Sequence, residues 1–210
     1  MSIASSRLSL TLYVSGADIR SHWLRLALAE KRVQADIYEA VVEALPEDVL
    51  ALNPYGTLPL LVDRDVCLHD PRVALEYIEE RFPQPALIQP GPVEHAKARQ
   101  MAGRIEREWC RPAELILGGK SPAAADVARK HLRDSLITVS PMFNELPFFM
   151  AQEFGMLDCM LAPVLWRLPQ LMLNLPEKPC RGLFRYRERV FARDAFKRSI
   201  QPVGSLDERS

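Results

Sequence analysis

Hydrophobic and polar positions follow two different periods along roughly the first eighty residues. Leu8–Val14 and Asp36–Val42 are rich in β-forming residues and predict two strands. Ser21–Lys31 lies between them and places its apolar residues on one helical face, which predicts a helix. Pro46–Leu52 predicts a short second helix, because proline is favoured in the first helical turn. The chain therefore begins with the pattern β-α-β-α.

A hairpin and a third helix complete this part of the chain. Leu58–Val62 and Val66–Leu68 predict two strands that turn at residues 63–65. Pro71–Phe82 predicts a helix with one apolar stripe. The resulting order, β-α-β-α-β-β-α, predicts a mixed sheet with helices packed on it.

The proline-rich segment Phe82–Pro92 cannot continue a helix and predicts a linker. The strand pattern stops there, and the remaining sequence predicts four helices and a polar tail: Val93–Leu117, Ala123–Val139, Leu157–Leu173 and Arg181–Phe191. We expect Pro112 to bend the first of these helices, and Pro163 and Pro169 to kink or split the third, which is nearly all apolar and so buried. The sequence thus predicts an α/β domain at residues 8–83, a linker at 84–92 and an all-helical domain at 93–205.

Composition narrows the classes of function. The 27 Lys and Arg residues balance the 27 Asp and Glu residues, so the chain has no overall field to hold nucleic acid. Arg7 alone precedes a short apolar run broken by Thr11, which is too little for a signal peptide. No stretch approaches the roughly 20 apolar residues of a membrane span. These observations predict a cytosolic protein that binds neither nucleic acid directly nor a membrane.

The four cysteines, Cys67, Cys110, Cys159 and Cys180, are far apart in sequence. None forms a Cys-x-x-Cys pair, and none has histidines at the spacing of metal ligands. This spacing argues against a structural zinc, a dithiol redox centre and a disulfide framework. We therefore expect no metal and no cofactor, and interpret the cysteines as small apolar core residues.

The segment NPYGTLPLLVD, at Asn53–Asp63, resembles the thioredoxin-like domain of glutathione transferases. This resemblance implies that Pro59 follows a cis peptide bond, which proline tolerates at about 0.5–1 kcal/mol. It also implies that the backbone of Leu58 is free to pair with an extended peptide ligand. An alternative is that the fold needs the turn at Pro59 whether or not a ligand binds.

Five further segments resemble the stringent starvation protein A family: Ser21–Val33, Leu61–Leu68, Leu75–Leu87, Arg104–Trp109 and Leu157–Leu171. The sequence LAPVLWRLPQL in the last of these is the most specific, and the likeness runs from about Leu8 to about Phe196. The resemblance implies a glutathione transferase fold with a thioredoxin-like N-terminal domain and a helical C-terminal domain. It also implies a homodimer that contacts RNA polymerase holoenzyme near the primary sigma factor during starvation or stress.

Transferase chemistry requires a group after the first strand that stabilises the glutathione thiolate. By resemblance this position falls on or near Asp18, where an ionised carboxylate repels a thiolate and donates no hydrogen bond. Ser15, Ser21 and Tyr13 lie nearby in sequence and can supply the donor if the loop is shifted. Both alternatives stay open at the level of sequence.

A second requirement is a cradle for the γ-glutamyl carboxylate, which in transferases is an acidic residue followed by serine at a helix start. The matching pair here is Asp70-Pro71, and Pro71 has neither a hydroxyl nor an N–H. Hydrogen bonds to charged groups contribute about 1.5–3 kcal/mol each, so losing two weakens binding by roughly 10²–10⁴-fold. Asp70 is also a good helix N-cap with proline in the first helical position. We therefore expect a vestigial glutathione site at Leu58, Pro59, Asp70 and Pro71.

A Pro-His-Pro surface motif contacts RNA polymerase in the family, and the matching tripeptide here is Pro83-Gln84-Pro85. The flanking prolines fix φ, so the middle side chain is held at little entropic cost. Glutamine keeps a donor and an acceptor but lacks the imidazole ring. An ordinary proline-rich linker is the alternative interpretation.

Two weaker features concern the helical part. Gly155–Asp158 resembles a helix-capping box, which predicts a buried cap at Asp158. The basic run Arg181–Arg198 predicts a solvated helix face, with an acidic partner or a nucleotide effector as the alternative.

The resemblance to the stringent starvation protein A family, together with the residues at the glutathione site, implies a transcription-associated adaptor rather than an enzyme. Two other functions stay open. One is an active glutathione-dependent transferase or reductase that uses Ser15, Tyr13 or another donor. The other is a dimeric subunit that binds a partner or an effector in the former glutathione cleft.

Overall fold

The computed structural model describes residues 10–205, which form two units. The first unit contains the residues up to Pro85 together with those from Ala195 onward, and the second contains Ala86–Asp194. The predicted beginning of the first strand at Leu8, and Arg7 before it, lie outside the described residues. The order of these elements matches the predicted architecture, in which a mixed sheet with helices precedes a helical part.

A mixed sheet forms the centre of the first unit. Within residues 10–205 it has the strand order β4-β3-β1-β2-β5. These strands are β1 (Thr11–Val14), β2 (Asp36–Glu39), β3 (Leu60–Asp63), β4 (Val66–Leu68) and β5 (Gly204–Ser205). β1 pairs in parallel with β2 and antiparallel with β3, and β3 and β4 form the predicted hairpin. β5 pairs in parallel with β2 and corrects the prediction of a polar tail without strands.

Among residues 10–85, three α-helices accompany this sheet: α1 (Ile19–Glu30), α2 (Glu47–Leu52) and α3 (Pro71–Arg81). α1 and α3 pack against each other and bury apolar side chains such as Trp23 and Ile78. Lys31, which follows α1, forms an ion pair with Glu79 of α3, and both side chains are at most 8% exposed. A buried ion pair thus joins the two helices.

The second unit contains five helices in the described part of the chain: α4 (Pro92–Ile105), α5 (Arg111–Gly118), α6 (Pro122–Val139), α7 (Met156–Trp166) and α8 (Arg181–Phe191). The sequence predicted one bent helix where α4 and α5 lie, and the two are joined by a π-helical turn at Glu106–Cys110. Pro112 follows this turn and has no N–H to donate to a carbonyl of the preceding turn. The structure thus shows a widened turn before Pro112, and the predicted bend of the helix at this proline stays a prediction.

α7 is the buried helix of the second unit, as predicted from its apolar sequence. It is shorter than predicted, because it ends at Trp166 and residues 167–172 form turns. Pro163 lies inside the helix, and its carbonyl accepts a hydrogen bond of 3.2 Å from the Arg167 guanidinium. Pro169 lies beyond the helix, where it cannot continue the ladder.

The C-terminal segment contributes a further helix, α9 (Asp194–Ser199), and its side chains contact α1. Ser199 Oγ lies 2.9 Å from His22 Nε2, and the Phe196 ring centroid lies 5.5 Å from that of His22. Arg198 donates to the Ala29 carbonyl at 3.1 Å. Together with β5, these contacts attach residues 195–205 to the first unit.

In residues 10–205 no helix has both the length and the apolar character needed to cross a membrane. The same residues contain no group of three or more His, Cys, Asp and Glu side chains placed to hold a metal ion.

Candidate functional site

The residues predicted to form a glutathione site meet at one end of the sheet. Tyr13 near the end of β1 is opposite Leu60 at the start of β3, and Leu68 at the end of β4 is opposite Leu61. The loop with Asp18 follows β1, the Leu58-Pro59 bond precedes β3, and α3 follows β4. These three segments therefore lie at the same edge of the sheet. The sequence prediction placed these residues together, and the strand register brings their segments to one edge.

Asp18 is the N-cap of α1. Its carboxylate accepts a hydrogen bond of 2.6 Å from the Ser21 N–H. The Ser21 hydroxyl is itself 1% exposed and accepts from the Ser15 N–H at 3.1 Å. Asp18 and Ser21 are thus engaged in closing the loop onto the helix, in the manner of an ordinary N-cap.

The other candidate thiolate donors differ in their surroundings. Tyr13 is 3% exposed and packs in an apolar cluster with Val49 and Leu60. Ser15 is half-buried at the end of β1. Of the three possible donors Tyr13, Ser15 and Ser21, only Ser15 is not fully buried.

Glu39 is a feature of this edge that sequence reasoning missed. It ends β2, and its carboxylate covers the backbone of Gly16 so closely that a β-carbon there would lie 2.1 Å from Oε1. Only glycine fits under this carboxylate without displacing it. A single glycine in a loop gave no signal of such a contact, because it depends on the pairing of β1 with β2.

The Leu58-Pro59 peptide bond is cis, as the resemblance predicted. Pro59 is buried and Leu58 is half-buried. Asn53 fixes the preceding loop, since its amide donates to the Thr57 carbonyl at 2.8 Å and its oxygen accepts from the Tyr55 N–H at 3.2 Å. The turn is therefore held from within the NPYGTLP segment itself.

Asp70 caps α3 with its own side chain. Its Oδ1 accepts from the Arg72 N–H at 2.8 Å and from the Val73 N–H at 3.2 Å, and Pro71 occupies the first helical position. The predicted N-cap is confirmed. The Asp70 carboxylate thus satisfies two of the N–H groups at the start of α3.

Pro83, Gln84 and Pro85 follow the end of α3, and all three side chains are exposed. The Gln84-Pro85 bond is cis, which the sequence did not predict. α3 begins beside the cis Pro59 edge and spans 11 residues, or roughly 16 Å. The tripeptide therefore lies at the opposite end of the first unit from the residues predicted to form a vestigial glutathione site.

Asp158 is a buried cap at the start of α7, as predicted, and is 1% exposed. Its carboxylate accepts from the Gly155 N–H at 2.8 Å, the Phe149 N–H at 2.9 Å and the Tyr186 hydroxyl at 2.7 Å. Burial raises the pKa of Asp158 to about 6 despite these three donors. The site joins a loop, α7 and α8 through one side chain.

Several arginines of the basic run bind the loop before α7. Arg185 donates to the Asn144 side chain at 2.8 Å, and Arg189 donates to the Pro147 carbonyl. The Arg193 guanidinium lies 4.5 Å from the Phe154 ring centroid. These contacts favour the structural interpretation of the run over an effector site.

Comparisons with known proteins confirm the glutathione transferase fold predicted from the sequence. A family model described as the N-terminal domain of glutathione S-transferase matches residues 21–86. The chain is similar to a stringent starvation protein A homolog of Haemophilus influenzae, at 42% identity over 213 residues that cover 100% of both chains. It is similar to a homolog of the same name from Coxiella burnetii, at 41% identity over 191 residues and 91% of each chain. Its fold is similar to that of glutathione transferase Omega 3C from Trametes versicolor, with a TM-score of 0.80 at 18% identity over 96% of each chain.

Proposed function

Because the chain belongs to the stringent starvation protein A family, we propose that it regulates transcription by contact with RNA polymerase rather than by catalysis. In this proposal a cytoplasmic homodimer binds the polymerase holoenzyme close to the primary sigma factor, in stationary phase or under stress. The full-length similarity to proteins of that family carries the proposal. No small-molecule cofactor takes part.

The absence of catalysis is supported by the carboxylates at the former cleft. The Asp70 side chain bonds two N–H groups at the start of α3, and Pro71 adds neither a hydroxyl nor an N–H. Asp18 bonds the corresponding N–H of α1. The γ-glutamyl carboxylate of an incoming glutathione therefore meets occupied donors and the Asp70 charge, and its thiolate meets the Asp18 charge.

Replacing Pro71 with serine is expected to raise the affinity for glutathione by about tenfold or more, because the hydroxyl and the N–H each provide a hydrogen bond to the ligand carboxylate. The N-cap at Asp70 is kept in this variant. Titration calorimetry with reduced glutathione measures the change.

Pro71→Ala is the matched control, since it restores the N–H alone and should lie between the wild type and Pro71→Ser. Equal affinities for all three proteins would show that this helix start does not limit glutathione binding. Micromolar binding by the wild type, or clear turnover in a thiol-conjugation assay, would favour the alternative of a glutathione-dependent transferase or reductase that uses Ser15.

The proposed contact with polymerase is the exposed tripeptide Pro83-Gln84-Pro85. Its two prolines restrict the backbone before binding, so less entropy is lost when a partner docks. All three side chains are exposed, and any partner that binds them buries new surface.

The double variant Pro83→Ala, Pro85→Ala is expected to weaken binding of RNA polymerase holoenzyme by about tenfold, because it removes both the ring contacts and the backbone restriction. Biolayer interferometry with purified core enzyme and primary sigma factor measures the affinity. Pro90→Ala with Pro92→Ala is the control, since it removes two exposed prolines of the same segment outside the tripeptide. Equal losses in the two double variants would remove the tripeptide from the proposed interface.

A further inference from the structure

We infer that the first unit carries a binding groove beside the Pro83-Gln84-Pro85 surface, and that it receives a segment of the polymerase holoenzyme with an apolar side chain next to a carboxylate. This inference rests on the function proposed above and names a second part of the same interface. We call it the basal groove, defined by the start of β1, the loop before β2, the end of β3 and the end of α3.

The basal groove has a volume of about 900 Å³. Leu10 precedes β1, Val33 precedes β2, Arg64 follows β3, and Arg81 and Phe82 end α3. These positions lie at the end of the sheet opposite the cis Pro59 edge. Because Phe82 directly precedes the tripeptide, the groove and the proposed contact surface are continuous.

The groove offers apolar surface to a partner. Leu10 is 7% exposed and belongs to the core. The side chains of Val33 and Phe82 are half-buried, so each keeps part of its apolar surface in contact with solvent. The Arg81 guanidinium lies 5.2 Å from the Phe82 ring centroid. An apolar side chain of the partner that packs here removes further apolar surface from water, at about 25 cal/mol per Å².

On the β3 side of the groove, the negative charge of Asp63 is compensated within the described part of the protein, whereas the positive charge of Arg64 is not. Asp63 is 8% exposed and is compensated twice, by the Tyr77 hydroxyl at 2.8 Å and by the Arg81 guanidinium at 3.4 Å. Arg64 is exposed and forms no ion pair with any of residues 10–205. One positive charge therefore remains beside the apolar lining on this side.

Asp36, the other acidic residue of the groove, does not neutralise Arg64. Asp36 and Val62 are both opposite Thr11, on the two sides of β1, and are thus about two strand spacings, or roughly 10 Å, apart. Arg64 continues the β3 side beyond Val62. A partner carboxylate that enters on the β3 side consequently meets Arg64 and Arg81 first, which is the charge complementarity that steers and selects a partner.

The test compares two arginines in the same backbone conformation. Arg64 and Arg32 are both exposed and have φ of 54° and 56°, but only Arg64 lines the groove. We expect Arg64→Glu in the full-length protein to weaken binding of purified holoenzyme by about tenfold, and Arg32→Glu to change it by less than about twofold. Arg64→Ala, which removes the charge without reversing it, should weaken binding by about two- to fivefold.

A photoreactive amino acid in place of the exposed Gln34 gives a second readout, because Gln34 lines the groove. Crosslinking to a holoenzyme segment that contains Asp or Glu beside an apolar residue supports the inference. Crosslinking between two copies of this chain, or none in a complex that forms, overturns it. Circular dichroism checks that every variant is folded.

The outcomes separate the two proposals. If the wild type binds holoenzyme and Arg64→Glu binds equally well, or if Arg32→Glu weakens binding as much, the basal groove is not a specific contact and the proposed function stands. If the wild type does not bind holoenzyme, the proposed function fails and this inference fails with it.

Discussion

Replacing Lys31 with alanine is expected to lower the free energy of unfolding by about 3–5 kcal/mol. The Lys31 ammonium is fully buried, and Glu79 of α3 provides its ion pair. Alanine removes the ammonium that forms this ion pair, so the cost of burying the Glu79 carboxylate is no longer offset by the Lys31 charge. Urea denaturation followed by circular dichroism measures the loss.

The double variant Lys31→Met, Glu79→Leu is the control. Two apolar side chains of similar size remove both charges together, so the double variant should lie within about 1 kcal/mol of the wild type or be more stable. A Lys31→Ala loss below about 1 kcal/mol would contradict the buried pair, as would a double variant that is no more stable than the single one.

Replacing Asp158 with alanine is expected to lower the free energy of unfolding by about 3–5 kcal/mol. The substitution leaves the Phe149 N–H, the Gly155 N–H and the Tyr186 hydroxyl without an acceptor in the interior. Each buried donor without a partner costs about 1–3 kcal/mol, and the three are not fully additive. Tyr186→Phe removes one donor and keeps the carboxylate, and should cost about 1 kcal/mol.

The same residue predicts a pH dependence. The pKa of Asp158 is raised by burial from its ordinary value of 3.8 to about 6, so the native state holds a proton that the unfolded chain has already released. The stability that this proton provides is complete below pH 3.8 and is lost as the pH rises through about 6. This interval corresponds to about 3 kcal/mol.

Asp158→Asn does not titrate and isolates this effect from other groups. The advantage of the wild type over Asp158→Asn should therefore shrink by about 2–2.5 kcal/mol between pH 4 and pH 7. Denaturation curves of both proteins at several pH values measure the difference. A constant difference across this range would contradict the raised pKa.

Local sequence patterns predicted much of the fold because their causes are local. Strand and helix periods set the element order of the first unit, and the predicted helix Arg181–Phe191 has the bounds of α8. Asp70 and Asp158 were predicted as caps, since a capping side chain bonds N–H groups two or three residues away. Local geometry was enough for these features.

Features that depend on distant pairing were not predicted. β5 has two residues and no hydrophobic alternation, and it pairs with β2 across more than 160 residues of sequence. The contact of Glu39 with Gly16 depends on the parallel register of β1 and β2. The Tyr186 hydroxyl meets Asp158 only when α8 packs on α7. In each case the second residue lies outside any window in which a local pattern is visible.

The attachment of residues 195–205 to the first unit affects the order in which the protein folds during synthesis. Ala86–Asp194 is one continuous stretch of sequence and is translated as a whole. The first unit is completed only after the residues from Ala195 onward have been translated. At roughly 5–20 residues per second, the ribosome needs about 5–20 s to make the intervening residues. During that time His22 lacks its contacts with Ser199 and Phe196, and the β2 edge stays open to pairing with other strands. The β2 edge of the nascent chain therefore stays open to misassembly until its final residues emerge.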